Sequence, residues 1–211
     1  MIDFLKRYPF PLVAILRGIT VVEAPRVAKT LFDAGFRLLE VPLNRPGALE
    51  SIAAICAIAP DDVVIGAGTV LRMEDVDAVR NVGGRLIVSP HCDARVIAHA
   101  VESEMLTLPG VVTPTEAFAA LGAGAHGLKL FPAEMINPAT VKALRSILPP
   151  ATPLLPVGGI NPCNMAGYIA AGADGFGIGG RLYSPGVDPA RLEMAAQNFM
   201  VARKDILASH K

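Results

Sequence analysis

The chain lacks a charge excess of either sign: 19 lysines and arginines balance 19 aspartates and glutamates over 211 residues, for a formal net charge of zero. That balance leaves no electrostatic footprint for a nucleic-acid backbone or an anionic membrane surface, so any anionic ligand has to be met by local groups. Cysteine is scarce. Cys56, Cys92 and Cys163 are odd in number, far apart and without a CxxC pair, which argues against zinc or dithiol chemistry and for ordinary thiols in a reducing cytoplasm. No stretch reaches the roughly 18 uncharged apolar residues of a membrane span. The nearest mimic of an export signal is Lys6-Arg7 followed by Pro9-Phe10-Pro11-Leu12-Val13-Ala14-Ile15-Leu16. It contains two prolines, ends on Arg17 and lacks a small-residue cleavage site, so it reads as a first buried strand. A soluble, cytoplasmic protein is the expectation. His91, His99, His126 and His210 fall on different elements without metal-ligand spacing, and no metal is expected. Linkers, low-complexity segments and internal repeats are also missing.

What the chain has in quantity is apolar residues, 52% of the total, enough for one substantial core in one domain spanning 1–211. Short apolar runs alternate with segments of helical period. After the first strand, Thr20 can cap a helix over 20–34 that stops at Gly35. Leu38-Leu39-Glu40-Val41-Pro42, Val63 to Thr69, Leu86 to Pro90, Leu106 to Gly110, Leu128-Lys129-Leu130, Leu154 to Gly159 and Gly175 to Gly180 continue the series of strands. Helices are predicted near 48–59, 73–82, 93–104, 115–121, 138–148, 162–171 and 189–207. Eight strands alternating with eight helices predict an α/β protein with a parallel sheet wrapped by helices. An open doubly wound sheet usually carries its glycine-rich loop after the first strand, whereas here the glycine pairs follow the seventh and eighth. The fold expected is a TIM (β/α)8 barrel with a short N-terminal extension.

Polar residues inside apolar strands need a reason, because burying a charge costs several kcal/mol, roughly, unless it is paired or discharged. Lys129 is the clearest case. Alone, it reads most simply as a lysine that snorkels out of the core to hold a phosphate or carboxylate. Parallel strands share a direction, so Arg17, Glu40, Thr69 and Lys129 converge on one mouth of a barrel, where such enzymes keep their active sites. A purely structural Glu40–Lys129 ion pair is the less economical account, since desolvation can exceed the Coulomb gain. Gly158-Gly159 and Gly179-Gly180 suit either tight turns or close approach of backbone N–H groups to a phosphate; two pairs on adjacent strands favour the phosphate. Tyr183 and Ser184, after the last glycines, could touch ligand but read more simply as a solvated loop, Lys142 and Arg145 as the outer face of a helix, and Cys92 as an unremarkable thiol near the mouth.

Taken in order, Ile15-Leu16-Arg17-Gly18-Ile19, Glu40-Val41-Pro42-Leu43-Asn44, Gly66-Ala67-Gly68-Thr69-Val70, Leu128-Lys129-Leu130-Phe131-Pro132 and Val157-Gly158-Gly159 resemble the class I aldolases that cleave 2-keto-3-deoxy-6-phosphosugar acids. The resemblance spans nearly the whole chain. It implies a homotrimer, no metal or other cofactor, and a phosphorylated keto-sugar acid as the small-molecule partner. It makes Lys129 the Schiff-base lysine and Glu40 the general acid/base, with Arg17, Thr69, Val70, Pro90, Gly158, Gly159, Gly179 and Gly180 lining or binding substrate. Within that family, Pro42-Leu43-Asn44 is similar to the galactose-series branch, the glucose series carrying Thr-Leu-Arg there; Arg45 keeps the gluco epimer open as an alternative. Gly180 stands where a serine would contribute a phosphate-binding hydroxyl. Two rivals remain: a phosphosugar isomerase or epimerase with Glu40 as base and Lys129 as electrostatic clamp, and a non-catalytic phosphosugar-binding barrel.

Overall fold

The computed structural model describes residues 4–209, which leaves His210 outside it. A short helix α1 (Phe4–Arg7) leads into β1 (Leu12–Ile15), α2 (Ala24–Ala34), β2 (Leu38–Pro42), α3 (Ala48–Cys56), β3 (Val64–Gly68) and α4 (Met73–Asn81). Next come β4 (Leu86–Val88), α5 (Ala94–Glu102), β5 (Leu106–Leu108), β6 (Gly110–Val111), α6 (Pro114–Gly122), β7 (Leu128–Leu130) and α7 (Pro138–Ile147). The chain finishes with β8 (Leu154–Pro156), α8 (Met165–Ala170), β9 (Phe176–Ile178) and α9 (Pro189–Ser209).

All pairings are parallel. Six strands run in the order β5-β4-β3-β2-β1-β9, three in the order β6-β7-β8. A parallel bridge between Val157 and Gly177 ties the end of β8 to β9. The run expected as one strand over 106–110 is two, β5 and β6, parted at Pro109, whose nitrogen has no hydrogen to give a ladder. β2 and β7 run as predicted, α6 and α9 run one or two residues further than predicted, and the other strands and helices are shorter by a few residues at their ends.

Local signals explain the helix ends. Thr20 does not begin α2 itself; its hydroxyl accepts from the Glu23 N–H at 3.4 Å while Glu23 Oε1 accepts from the Thr20 N–H at 3.1 Å, an entry turn ahead of Pro25. Gly35 closes the helix in the left-handed region at φ 105, where glycine has no Cβ to clash. Thr113 and Glu116 form a reciprocal cap on α6.

Strand alternation sorts the core into two layers. Val13, Leu38, Leu86, Val88, Leu106, Leu108 and Leu155 pack with Tyr8 inside the curled sheet. Their sequence neighbours Ala14, Leu39, Ile87 and Leu154 face outward into the layer shared with the helices. Leu128 and Leu130 also belong to the outer layer, so Lys129 between them takes the inner face; Glu40, two residues after Leu38, does the same.

Candidate active site

Register sets the depth of the polar groups. Glu40 on β2 lies opposite Ile15 of β1 and Gly66 of β3, and Lys129 on β7 lies between Gly110 of β6 and Leu155 of β8. Arg17 follows β1, Thr69 follows β3, Gly158 and Gly159 follow β8, and Gly179 and Gly180 follow β9. These eight residues line one cavity of about 220 Å³ at the carboxyl ends of the strands. The other two residues named from the sequence do not line it. Val70 is fully buried in the outer core layer, its N–H bonded to the Val88 carbonyl at 3.2 Å, and Pro90 sits half-buried past the end of β4.

Glu40 is 1% exposed, and its Oε2 has no hydrogen-bond partner in the described structure. Burial pushes its carboxyl up to about 7, against the pull of Lys129 and Arg17. Lys129 is 8% exposed and shifted the opposite way: burial lowers its ammonium pKa, Glu40 opposes that and Arg17 adds to it. The two groups interact electrostatically without a direct salt bridge, so the ion pair weighed from the sequence is not formed. Lys129 Nζ instead stands 4.7 Å from the centroid of the Phe131 ring. Both shifts favour the uncharged forms, a nucleophilic amine beside a carboxyl able to exchange protons near neutral pH.

Glycines shape the space around these groups. A Cβ at Gly68 would overlap the Glu40 carboxylate, so the Gly66-Ala67-Gly68 run in β3 makes room for it. Thr69, next along, holds φ 56, an outlying conformation for a β-branched residue and one that concentrates at functional sites. The glycine pairs differ from each other. Gly158 and Gly159 have φ 119 and 61, so the turn itself demands them. Gly179 and Gly180 have no such backbone need: a Cβ at Gly180 would meet nothing within 4 Å, and one at Gly179 nothing nearer than 3.9 Å. Their missing side chains leave open space on the cavity wall.

This site agrees with comparison of the whole chain, since residues 4–190 match the aldolase family described as KDPG and KHG aldolase. The chain belongs to the KDPG and KHG aldolase family. It is 45% identical to the probable 2-dehydro-3-deoxy-6-phosphogalactonate aldolase of Rhizobium meliloti over 88% of both chains. It is 45% identical to the 2-dehydro-3-deoxy-6-phosphogalactonate aldolase of Escherichia coli over 92% of this chain and 95% of that one. A solved structure described as native KDPGal superposes with a TM-score of 0.92 at 44% identity, covering 94% of this chain and 97% of the other.

Several residues of this KDPG and KHG aldolase family member escaped sequence reasoning. Tyr183 is not in a solvated loop: it is 3% exposed, lines the cavity and donates its hydroxyl to Glu23 Oε1 at 2.5 Å. Burial and Glu23 both raise the phenol's pKa, which keeps it a donor. Its only sequence signal was Leu182-Tyr183, an apolar pair after the last glycines. Arg181 and Phe131 also line the cavity. Arg145 is not an outer-face residue, unlike exposed Lys142. It pairs with Asp174 at 2.5 Å and donates to the carbonyls of Gly172 and Thr152, tying α7 to the loops around β8. Cys92 Sγ lies 3.4 Å from the Glu116 carbonyl. Among the described residues no group of three or more His, Cys, Asp or Glu could hold a metal ion, and no helix is long and apolar enough to cross a membrane.

Proposed function

We propose that this chain is a class I aldolase that reversibly cleaves 2-dehydro-3-deoxy-6-phospho-D-galactonate to pyruvate and D-glyceraldehyde 3-phosphate, with Lys129 as nucleophile and Glu40 as general acid/base. The observation that carries this reading is a buried lysine sharing one cavity with a buried carboxylate oxygen that has no partner of its own. The uncharged amine of Lys129 attacks the C2 ketone, and loss of water gives a protonated imine. Glu40, directly or through water, takes the proton of the C4 hydroxyl. The C3–C4 bond breaks, C4 leaves as the aldehyde of glyceraldehyde 3-phosphate, and the bonding pair enters the iminium to give an enamine. Proton return to C3 and hydrolysis release pyruvate and restore the amine. Arg17, Thr69, Val70, Pro90 and the glycines at 158, 159, 179 and 180 are assigned to substrate binding or to the wall behind it.

The names of the two relatives support the galacto substrate, and so does the place of Arg45, exposed and outside the cavity lining. A lactate-dehydrogenase-coupled assay on the gluco and galacto substrates tests this: faster pyruvate release from the galacto epimer is expected, and equal rates remove the assignment of epimer.

The same reading takes the two sheets as one closed (β/α)8 barrel in a single domain over 1–211, preceded by α1 as the N-terminal extension. The Val157–Gly177 bridge and the single residue between β5 and β6 support closure. A homotrimer is supported by the exposed apolar side chains of Val21 and Val22 after β1, and of Leu71 and Met73 at the entry to α4 after β3. Three cysteines free of disulfides fit a cytoplasmic setting.

A further inference from the structure

Charge is unevenly placed along the cavity. Exposed Arg17, past the end of β1, acts electrostatically on both Glu40 and Lys129. Past β8 and β9 the wall is glycine, at 158, 159, 179 and 180, and the cation that follows it is Arg181, also exposed. Arg181 forms no hydrogen bond or ion pair with any described residue, although its backbone is firmly placed. The Leu182 and Tyr183 N–H groups both bond to the Gly179 carbonyl, at 2.8 and 3.1 Å, and Tyr183 is pinned to Glu23. An anchored backbone thus presents an unpartnered guanidinium beside the space that Gly179 and Gly180 leave open.

We propose that Arg181 is the residue that clamps the substrate's phosphate. This rests on the aldolase reading, in which C2 is bonded to Lys129 and the C6 phosphate reaches the glycine loops past β8 and β9. The glycine amides alone do not make a favourable anion site, because the Glu134 carboxylate leans onto the same loop: a Cβ at Gly158 would overlap its Oε2. A phosphate entering there meets a negative neighbour, and the guanidinium of Arg181, on the loop after the adjacent strand β9, offsets it. Arginine suits the task, since its planar fork engages two phosphate oxygens at once and stays charged at every working pH. Gly180, with no side chain, supplies no hydroxyl in its place.

The test is calorimetric titration of the full chain with glycerol 3-phosphate, comparing wild type, Arg181→Ala and Arg181→Lys. The alanine variant is expected to bind roughly 10- to 100-fold more weakly, the loss of a charged hydrogen-bond partner, with lysine intermediate. KM for the phosphorylated keto-acid should rise by a similar factor while borohydride trapping of pyruvate, which has no phosphate, proceeds as in wild type. Alanine binding within about twofold of wild type overturns the assignment, as does a wild-type protein that does not bind glycerol 3-phosphate. A wild type that binds glycerol 3-phosphate through Arg181 yet releases no pyruvate from either keto-acid overturns the aldolase reading and leaves the phosphate clamp standing.

Discussion

Glu40 is held in a protonation state that costs the fold stability and serves chemistry. Its carboxyl lies at about 7 in the folded chain against 4.5 when exposed, because burial outweighs the attraction of Lys129 and Arg17. Between those two values the folded state holds a proton that the unfolded state has released, so stability falls as pH rises from 4.5 to about 7 and stays lowered above it. Glu40→Gln removes that penalty. It should be more stable than wild type in denaturant titrations at pH 8, by up to roughly 3 kcal/mol, with the gain vanishing below pH 4.5. The same substitution should slow aldol cleavage by about 10²–10⁴-fold while still allowing pyruvate to form a trappable imine. In wild type, turnover should rise along an acid limb with its midpoint near pH 7, as Glu40 becomes a base. A pH-independent rate across that range contradicts its part in proton transfer.

At the scale of elements, glycine positions decide what each strand end can tolerate. Gly68→Ala would drive a methyl group into the Glu40 carboxylate, and overpacking of this kind costs about 1–3 kcal/mol. A lowered denaturation midpoint together with loss of activity is expected, whereas Gly180→Ala, facing open space, should leave the midpoint unchanged. Arg145→Ala, which cuts the tie from α7 to Asp174, should cost roughly 1–3 kcal/mol in chemical denaturation and leave activity per folded molecule intact. The alternation of strand and helix, and the lysine and glutamate inside apolar strands, were readable from residue type and period alone. The division of β5 from β6 was less so, because Pro109 sits within a run that is apolar throughout. Tyr183 and Arg145 were misjudged for a related reason: their burial comes from Glu23 and Asp174, 160 and 29 residues away along the chain, and local period carries no trace of either. The place of Val70 also depends on depth along the strands of the curled sheet, which one motif cannot supply.

For the molecule as a whole, the curl of the sheet turns sequence-distant strand ends into one site, and the exposed apolar loops after β1 and β3 point to assembly beyond one chain. Light scattering coupled to size exclusion should give three times the 22.1 kDa chain mass. A monomer at micromolar concentration would remove the trimer and leave the site's chemistry untouched. The central claim, that Lys129 forms an imine with the substrate's keto carbon, is tested most directly by mass spectrometry of the chain after incubation with pyruvate and borohydride. The account predicts a single stable pyruvyl adduct, mapped to the peptide bearing Lys129 and accompanied by irreversible loss of activity. An unmodified Lys129 in protein that still turns over its substrate would contradict it.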